Sequence, residues 1–237
     1  MNANARWQEA ISGNLASASI PGYKKQDLSF GAVQGGVMSQ ATADPRLHYA
    51  MPHATLATSF TQGDLRATGV DKDVAIEGRG FFEAQLPNGA TAYTRDGEFQ
   101  INATGQLITK QGYLVLGDSG PIQLDRNNPG PLSISASGEV SQGTDIKGKL
   151  KIVDFKEPNL LTQISGGYFV ANHPNLQPTV AAQSSLRQGF LEGANTSPVA
   201  EMANLISVMR AFEANQRIVH MQDERMGRAI SELGNPS

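Results

Sequence analysis

The chain has 237 residues, of which 39% are hydrophobic and 17% are charged, and its net charge at pH 7 is −3. This length is enough for one large domain or two small ones, and the charge balance excludes the strongly basic surface typical of nucleic-acid-binding proteins. The 25 glycines favour a turn-rich β structure, and the absence of cysteine excludes disulfides and cysteine-ligated metals.

The first predicted element is a helix from Met1 to about Ser19, which ends at Pro21 and Gly22. Its apolar residues fall near one face and form a thin stripe, so the helix alone would be marginally stable. They are Ala3, Trp7, Ala10, Ile11, Leu15 and Ala18. The pattern is irregular from Tyr23 to Ala67, where we predict extended chain with one strand near Leu56–Phe60. Residues 1–67 are therefore predicted to be an N-terminal helix and a linker.

Residues 68–189 are predicted to form a Gly-rich antiparallel β domain. Short runs such as "GFFEAQL", "YLVLG" and "LSISASGEV" are separated by glycine-containing turns, and several of them alternate polar and apolar residues. Large aromatic side chains on strands around tight turns are well placed for burial. We therefore predict that Phe82, Tyr93 and Phe99 belong to the core of this domain.

Residues 190–237 are assigned to a long C-terminal helix. Ser197 is a suitable N-cap, Pro198 suits the first helical position, and the negative charge of Glu201 suits the first turn. Apolar residues then recur at alternating spacings of three and four, which is the heptad pattern of a helix that packs on another helix. We name these residues the helix seam: Met202, Leu205, Met209, Phe212, Val219, Met226, Ile230 and Leu233.

The partner of the seam is predicted to be the N-terminal helix, because that is the other predicted helix of the chain. The two helices would then pair as a coiled coil, with the β domain inserted between them. Gln216 and Asp223 interrupt the seam and favour a solvated seam or one with several partners. The alternative is a C-terminal helix that packs on its own β domain, as in many α+β folds.

No catalytic, metal or cofactor site is predicted, and the chain is not expected to be an enzyme. His220 and Glu224 are spaced as a helix-surface pair, and "DRNNPG" from Asp125 lacks the acidic twelfth residue of a calcium loop. Turn formation explains the acidic residues near glycines better than catalysis does. These are Asp71, Asp73, Asp96 and Glu98. We also find no conventional signal peptide and no apolar run long enough to span a membrane.

Three separated blocks resemble bacterial flagellar rod and hook proteins, the axial subunits of the flagellum. "ISGNLASASIPGYKK" matches the N-terminal signature at Asn14, Leu15, Ala16, Gly22, Tyr23 and Lys24, although Gly13, Ser17 and Ser19 replace frequent asparagines. Residues 68–117 resemble the central β block at Asp73, Ala75, Ile76, Gly78, Gly80, Phe81, Phe82, Tyr93, Thr94, Arg95, Gly97, Phe99, Gly105 and Leu107. "QGFLEGANTSPVAEMANLISVMRAFEAN" resembles the C-terminal signature at Leu191, Glu192, Asn195, Glu201, Met202, Arg210, Glu213 and Asn215.

The resemblance implies a structural subunit of the flagellar basal-body rod, proximal or distal, that polymerises into a tubular drive shaft for motility. In such proteins the terminal segments form a coiled-coil inner layer, and the β domain lies outside it. The implied partners are further copies of the chain, other rod and hook subunits, and the type III export apparatus. The implied location is the periplasmic rod, reached without a cleaved signal peptide. The alternative is a secreted β-domain protein that binds or cleaves glycan.

Overall fold

The computed structural model describes residues 2–34, 50–128, 130–181 and 183–233. Within these ranges the protein is mainly β with one helix towards each end, as predicted. The α-helices are α1 (Asn2–Ala16) and α2 (Pro198–Leu233), and short 3₁₀ helices lie at Pro158–Leu160 and Ser165–Gly167. The strands are β1 (Gln26–Gln34), β2 (Ala50–Thr58), β3 (Leu65–Ala67), β4 (Val74–Glu77), β5 (Phe81–Gln85), β6 (Thr91–Thr94), β7 (Phe99–Ile101), β8 (Leu107–Thr109), β9 (Leu114–Gly117), β10 (Gly120–Pro121), β11 (Leu132–Ile134), β12 (Glu139–Gln142), β13 (Asp145–Lys149), β14 (Ile152–Asp154), β15 (Thr162–Gln163), β16 (Tyr168–Val170), β17 (Thr179–Val180), β18 (Ser185–Gln188) and β19 (Phe190–Glu192).

The strands form one large sheet and several small ones. The large sheet has the order β15-β16-β6-β5-β9-β8-β7, with β10 paired to β9, and with β14 paired to both β5 and β17. A three-stranded sheet has the order β11-β12-β13, and the remaining pairs are β18–β4, β19–β3 and β1–β2. The strand pairs from β3 to β19 are antiparallel, as the sequence predicted.

The chain divides into two compact units. The described residues of the terminal unit lie within 1–15, 26–57 and 198–237, and those of the β unit lie within 16–25 and 58–197. The turn that follows α1 therefore belongs to the β unit. Strands β3 and β19 pair with each other although they lie just outside the predicted limits of 68 and 189. The predicted linker also contains β1 and β2, and β2 overlaps the strand predicted near Leu56.

Alternation along β5 divides the β unit's core into layers. Phe82 packs in a cluster with Phe99, Leu107 and Val115, whereas its neighbour Phe81 packs with Phe155 and other side chains in a second cluster. Successive residues of a strand point to opposite faces of the sheet, so adjacent phenylalanines can fill two clusters. The predicted core residues Phe82, Tyr93 and Phe99 are all buried, which confirms their assignment.

The described side chains of α1 follow the predicted face. Ala10 and Ile11 are buried, and Trp7 and Leu15 are half-buried. The side chain of Ala3 lies outside the described part. Helix α2 begins at Pro198, as predicted, and its 36 residues correspond to about 54 Å at 1.5 Å per residue. Neither helix, over its described residues, combines the length and hydropathy that a membrane span requires.

Candidate functional site

A buried ion pair connects the turn after α1 to the last strand of the β unit. The Nζ of Lys24 lies 2.5 Å from Oε1 of Glu192 on β19, and neither side chain has exposed surface. Lys24 also donates a hydrogen bond of 2.8 Å to the carbonyl of Thr61. We name Lys24, Arg95, Glu192 and Asn195 the junction cluster, because together they join three segments of the chain.

Arg95 shares the carboxylate of Glu192 with Lys24. Its Nη1 donates to Oε2 of Glu192 at 3.1 Å, and its Nη2 donates to the carbonyl of Gly78 at 2.8 Å. The guanidinium also lies 5.5 Å from the centre of the Phe81 ring, within cation–π range. Among the described residues, its buried Nε has no hydrogen-bond partner.

The junction cluster holds two cations and one carboxylate away from water. Burial lowers the pKa of Lys24 and of Arg95 below their ordinary values, and the Glu192 carboxylate opposes this effect in both cases. Charges taken out of water are tolerated only when paired and hydrogen-bonded. Glu192 meets this demand through both oxygens, since Oε1 also accepts the N–H of Gly63 at 2.9 Å. Glu192 is therefore the residue on which both cations depend.

Asn195 holds the same segments together with neutral hydrogen bonds. Its Oδ1 accepts the N–H of Lys25 at 2.7 Å, and its Nδ2 donates to the carbonyls of Ser59 at 2.7 Å and Thr61 at 3.1 Å. Its own N–H donates to the carbonyl of Tyr23 at 3.2 Å. One side chain thus connects the turn after α1, the segment after β2 and the segment that leads into α2.

Gly22 allows the turn to approach the backbone beside Arg95. Its φ of +67° lies in the left-handed region, and its N–H donates to the carbonyl of Glu192 at 2.7 Å. A Cβ at this position would overlap the carbonyl of Arg95 and the nitrogen of Asp96. Both the backbone conformation and the close approach therefore require glycine.

The remaining residues of the N-terminal motif have separate positions. Tyr23 is buried next to Lys24 in the β unit, and Ala16 is exposed at the end of α1. Asn14, buried in the terminal unit, donates through Nδ2 to the carbonyl of Gln26 and accepts the Gln26 N–H through Oδ1, both at 2.9 Å. Leu15 is half-buried.

The helix seam lies along α2. Met202, Met209 and Met226 expose 51%, 48% and 65% of their surface, Phe212 exposes 36%, and Leu205 is half-buried. The side chains of Val219, Ile230 and Leu233 lie outside the described part. Among the described side chains of α2, the buried ones are Glu201 and Val208. Neither residue belongs to the helix seam predicted from the sequence. The sequence signal for Val208 was present, because it lies three residues after Leu205 on the same side of the helix.

The comparisons with known proteins agree with the resemblance. Residues 75–142 match the family profile described as "Flagellar hook protein FlgE/F/G D1 domain", and residues 187–232 match "Flagellar basal body rod FlgEFG protein C-terminal". Three relatives cover almost the whole chain. The flagellar basal-body rod protein FlgF of Caulobacter vibrioides is 33% identical over 95% of this chain and 91% of its own length.

The chain belongs to the flagellar basal-body rod protein family. The rod protein FlgG of Buchnera aphidicola subsp. Baizongia pistaciae is 32% identical over 91% of this chain and 90% of its own length. FlgF of Salmonella typhimurium is 32% identical over 94% and 90%, respectively. The protein is therefore a structural subunit of the flagellar rod, and nothing in the comparisons supports the glycan-binding alternative.

In the junction cluster of this rod protein, a residue matched by one family profile contacts a residue matched by the other. Arg95 lies in the matched D1 region, and Glu192 and Asn195 lie in the matched C-terminal region. The sequence had identified these residues, together with Lys24, only as matches in three separate blocks. Their contact could not be read from spacing, because Lys24 and Glu192 are 168 positions apart and Arg95 and Glu192 are 97 apart.

Proposed function

We propose that this rod subunit polymerises with copies of itself and with related rod and hook subunits through the helix seam of α2. The observation that carries this proposal is the exposure of the large apolar side chains along the 36-residue helix. An open helical polymer needs contacts between unlike surfaces of successive subunits. A long helix with an exposed apolar face is suited to such contacts.

The exposed side chains supply a driving force for assembly. Full burial of a methionine or phenylalanine side chain contributes about 1.5–3 kcal/mol. Met202, Met209 and Met226 each still expose about half or more of their surface. Burying the remaining exposed surface of these three residues would therefore contribute several kcal/mol more on the same scale. Methionine is also flexible enough to fit surfaces of different neighbours, which suits a subunit that contacts both copies and relatives.

We further propose that α1 and α2 pair as a coiled coil in the rod. Two observations support this pairing: both helices belong to the terminal unit, and α1 buries Ala10 and Ile11. We keep the predicted division into an N-terminal helix with linker (1–67), a β domain (68–189) and a C-terminal helix (190–237) as a proposal, with strands β3 and β19 extending the β domain just past both of its limits. The chain is proposed to have no enzymatic activity, because its named relatives are rod proteins.

The proposed location is the periplasmic part of the basal body, reached through the flagellar type III export apparatus. The named relatives are basal-body rod proteins.

Cysteine cross-linking in cells tests the proposed assembly surface. The chain has no cysteine, so Met209→Cys introduces a single thiol on the seam. We expect this thiol, once labelled with a maleimide photo-crosslinker, to form a covalent bond to another subunit when purified basal bodies are irradiated. Ala214→Cys is the matched control, because it is exposed on the same helix about 140° round the axis at 100° per residue. Equal cross-linking at both positions, or absence of the protein from basal bodies, would contradict the proposal.

A further inference from the structure

The N-terminal turn, residues 17–25, attaches to the β unit chiefly through polar bonds, although its Tyr23 is 6% exposed and counts among the buried apolar residues. None of the three described hydrophobic clusters of the β unit contains a residue of this turn. The turn is attached by the Lys24–Glu192 ion pair and by backbone hydrogen bonds. The N–H of Gly22 donates to Glu192 and that of Lys25 to Asn195. These three clusters can thus pack without the turn.

Release of the turn would leave no orphaned charge in the β unit. Lys24 would carry its own charge away into water. Glu192 would keep Arg95 at 3.1 Å and the N–H of Gly63 at 2.9 Å. One cation would then face one carboxylate, which is a better balance than the two cations of the closed state. The β unit can therefore remain folded after release.

We propose that the junction cluster is a lock that holds the N-terminal turn on the β unit and opens in one cooperative step while the β unit stays folded. Four amides cross the boundary between the turn and the rest of the unit, with either their donor or their acceptor in the turn. Among the bonds given for the described residues, they are the N–H groups of Gly22, Lys25, Ser59 and Asn195, at donor–acceptor distances of 2.7, 2.7, 2.9 and 3.2 Å. Because they depend on the same ion pair, they open together.

The lock goes beyond the proposed rod assembly and does not depend on it. It determines whether the segment that follows α1 is held or free before the subunit meets its neighbours. Local opening of this kind has its own free energy, which is smaller than that of global unfolding. The experiment therefore measures opening in the full-length chain in solution, without reference to assembly.

Native-state hydrogen exchange followed by NMR on the full-length chain is the test. We expect the four boundary amides to share one opening free energy that depends weakly on urea. The N–H of Leu107, bonded to the carbonyl of Ile122 at 3.0 Å, reports global unfolding and should exchange far more slowly. The N–H of Gly63 is an internal reference, because its bond to Glu192 lies outside the turn.

Lys24→Met removes the ion pair and should accelerate the boundary amides together by about 10- to 100-fold. Leu107 should accelerate by a similar factor, because the folded state is destabilised, and should remain far slower than the four boundary amides. Lys110→Met is the matched control, because Lys110 pairs with Glu98 at 2.9 Å on the surface. If Lys24→Met does not fold, the exchange rates of the four boundary amides in Asn195→Ala and in the unmutated chain still test the proposal. The lock would be overturned if the four amides opened with different free energies, or if they exchanged as slowly as Leu107. It would also be overturned if a folded Lys24→Met variant showed no acceleration of these amides.

Discussion

Lys24 and Glu192 are 168 positions apart in the sequence, and their side chains form a 2.5 Å ion pair with no exposed surface. Arg95 approaches the other oxygen of the same carboxylate. The consequence of removing one of these three charges depends on which charge is removed. Without Glu192, two buried cations face each other, whereas without Lys24 one cation still faces one carboxylate. This asymmetry gives the first prediction.

Glu192→Gln should lower the free energy of unfolding by about 3–5 kcal/mol, because it breaks a buried ion pair and leaves its partners uncompensated. Lys24→Met should cost about 1–2 kcal/mol, since it removes a hydrogen-bonded cation but leaves the Glu192–Arg95 pair. Urea unfolding followed by circular dichroism measures both. Glu77→Gln is the control, because Glu77 and Arg187 form a half-exposed pair at 3.7 Å. Equal costs for Glu192→Gln and Lys24→Met would contradict the assigned charge balance.

Features that depend on neighbouring residues could be predicted from the sequence, whereas contacts between distant segments, such as this ion pair, could not. Local patterns predicted α2 with its start at Pro198 and placed Phe82, Tyr93 and Phe99 in the core, because helix caps and strand alternation act over a few residues. The short strands β15 and β17 have two residues each and no period to detect. The pairing of β14 with β5, like that of Lys24 with Glu192, joins distant segments and depends on the tertiary structure.

Gly22→Ala should destabilise the protein more than an ordinary glycine substitution. The new Cβ would meet the backbone beside Arg95, which cannot move aside as a flexible side chain can, and φ is +67°. Gly89→Ala separates the two effects, because Gly89 has φ of +82° and open space around it. We expect about 1 kcal/mol for Gly89→Ala and at least about twice that for Gly22→Ala. Similar melting temperatures for the two variants would show that the close approach is unimportant.

Phe82→Ala should lower the free energy of unfolding by about 3–5 kcal/mol, as for other buried phenylalanine truncations. The ring is 1% exposed and packs edge-on against Phe99, with centroids 5.1 Å apart. Phe190→Ala is the comparison, because Phe190 is half-buried and should cost less. Calorimetry measures both variants. If Phe82→Ala kept its thermal stability and lost only rod assembly, Phe82 would be a subunit contact and not a core residue.

Asp96 should make the protein less stable as the pH rises from about 4 to 6. Burial raises the pKa of this carboxyl from 3.8 to about 6, and the charges of Glu98 and Asp73 add to the increase. Between these values the unfolded chain has released the proton that the folded chain still binds, so the free energy of unfolding falls with pH. Above pH 6 the charged form costs at most about 3 kcal/mol.

Asp96→Asn should remove this loss. Relative to the unmodified chain, the variant should therefore gain stability between pH 4 and pH 7. The amide oxygen can still accept the Glu98 N–H, which donates to Oδ1 at 3.0 Å. The difference in free energy of unfolding between variant and unmodified chain should grow across the pH window, as measured by urea unfolding at several pH values. Asp118→Asn is the control for the loss of one carboxyl at an exposed position. If the difference for Asp96→Asn stayed constant across the pH window, the assignment of the pH dependence to Asp96 would be refuted.

The last prediction separates assembly from folding at the helix seam. Phe212 exposes 36% of its surface on α2, so Phe212→Asp should change the stability of the isolated chain by about 1 kcal/mol or less and leave the melting of the β unit nearly unchanged. In the rod, the new carboxylate would be buried in a packed helix interface without a partner, which is costly. We therefore expect the variant to be absent from basal bodies and the cells to be non-motile.

Ala214→Asp is the control for this charge, because Ala214 lies two residues on and about 160° round α2 from Phe212. It should incorporate into basal bodies and support motility. If α2 instead packed on its own β sheet, Phe212→Asp would first destabilise the purified monomer by several kcal/mol. Calorimetry of both purified variants, beside motility and basal-body content, distinguishes the two arrangements. A large loss of monomer stability would refute the assignment of Phe212 to a contact between subunits.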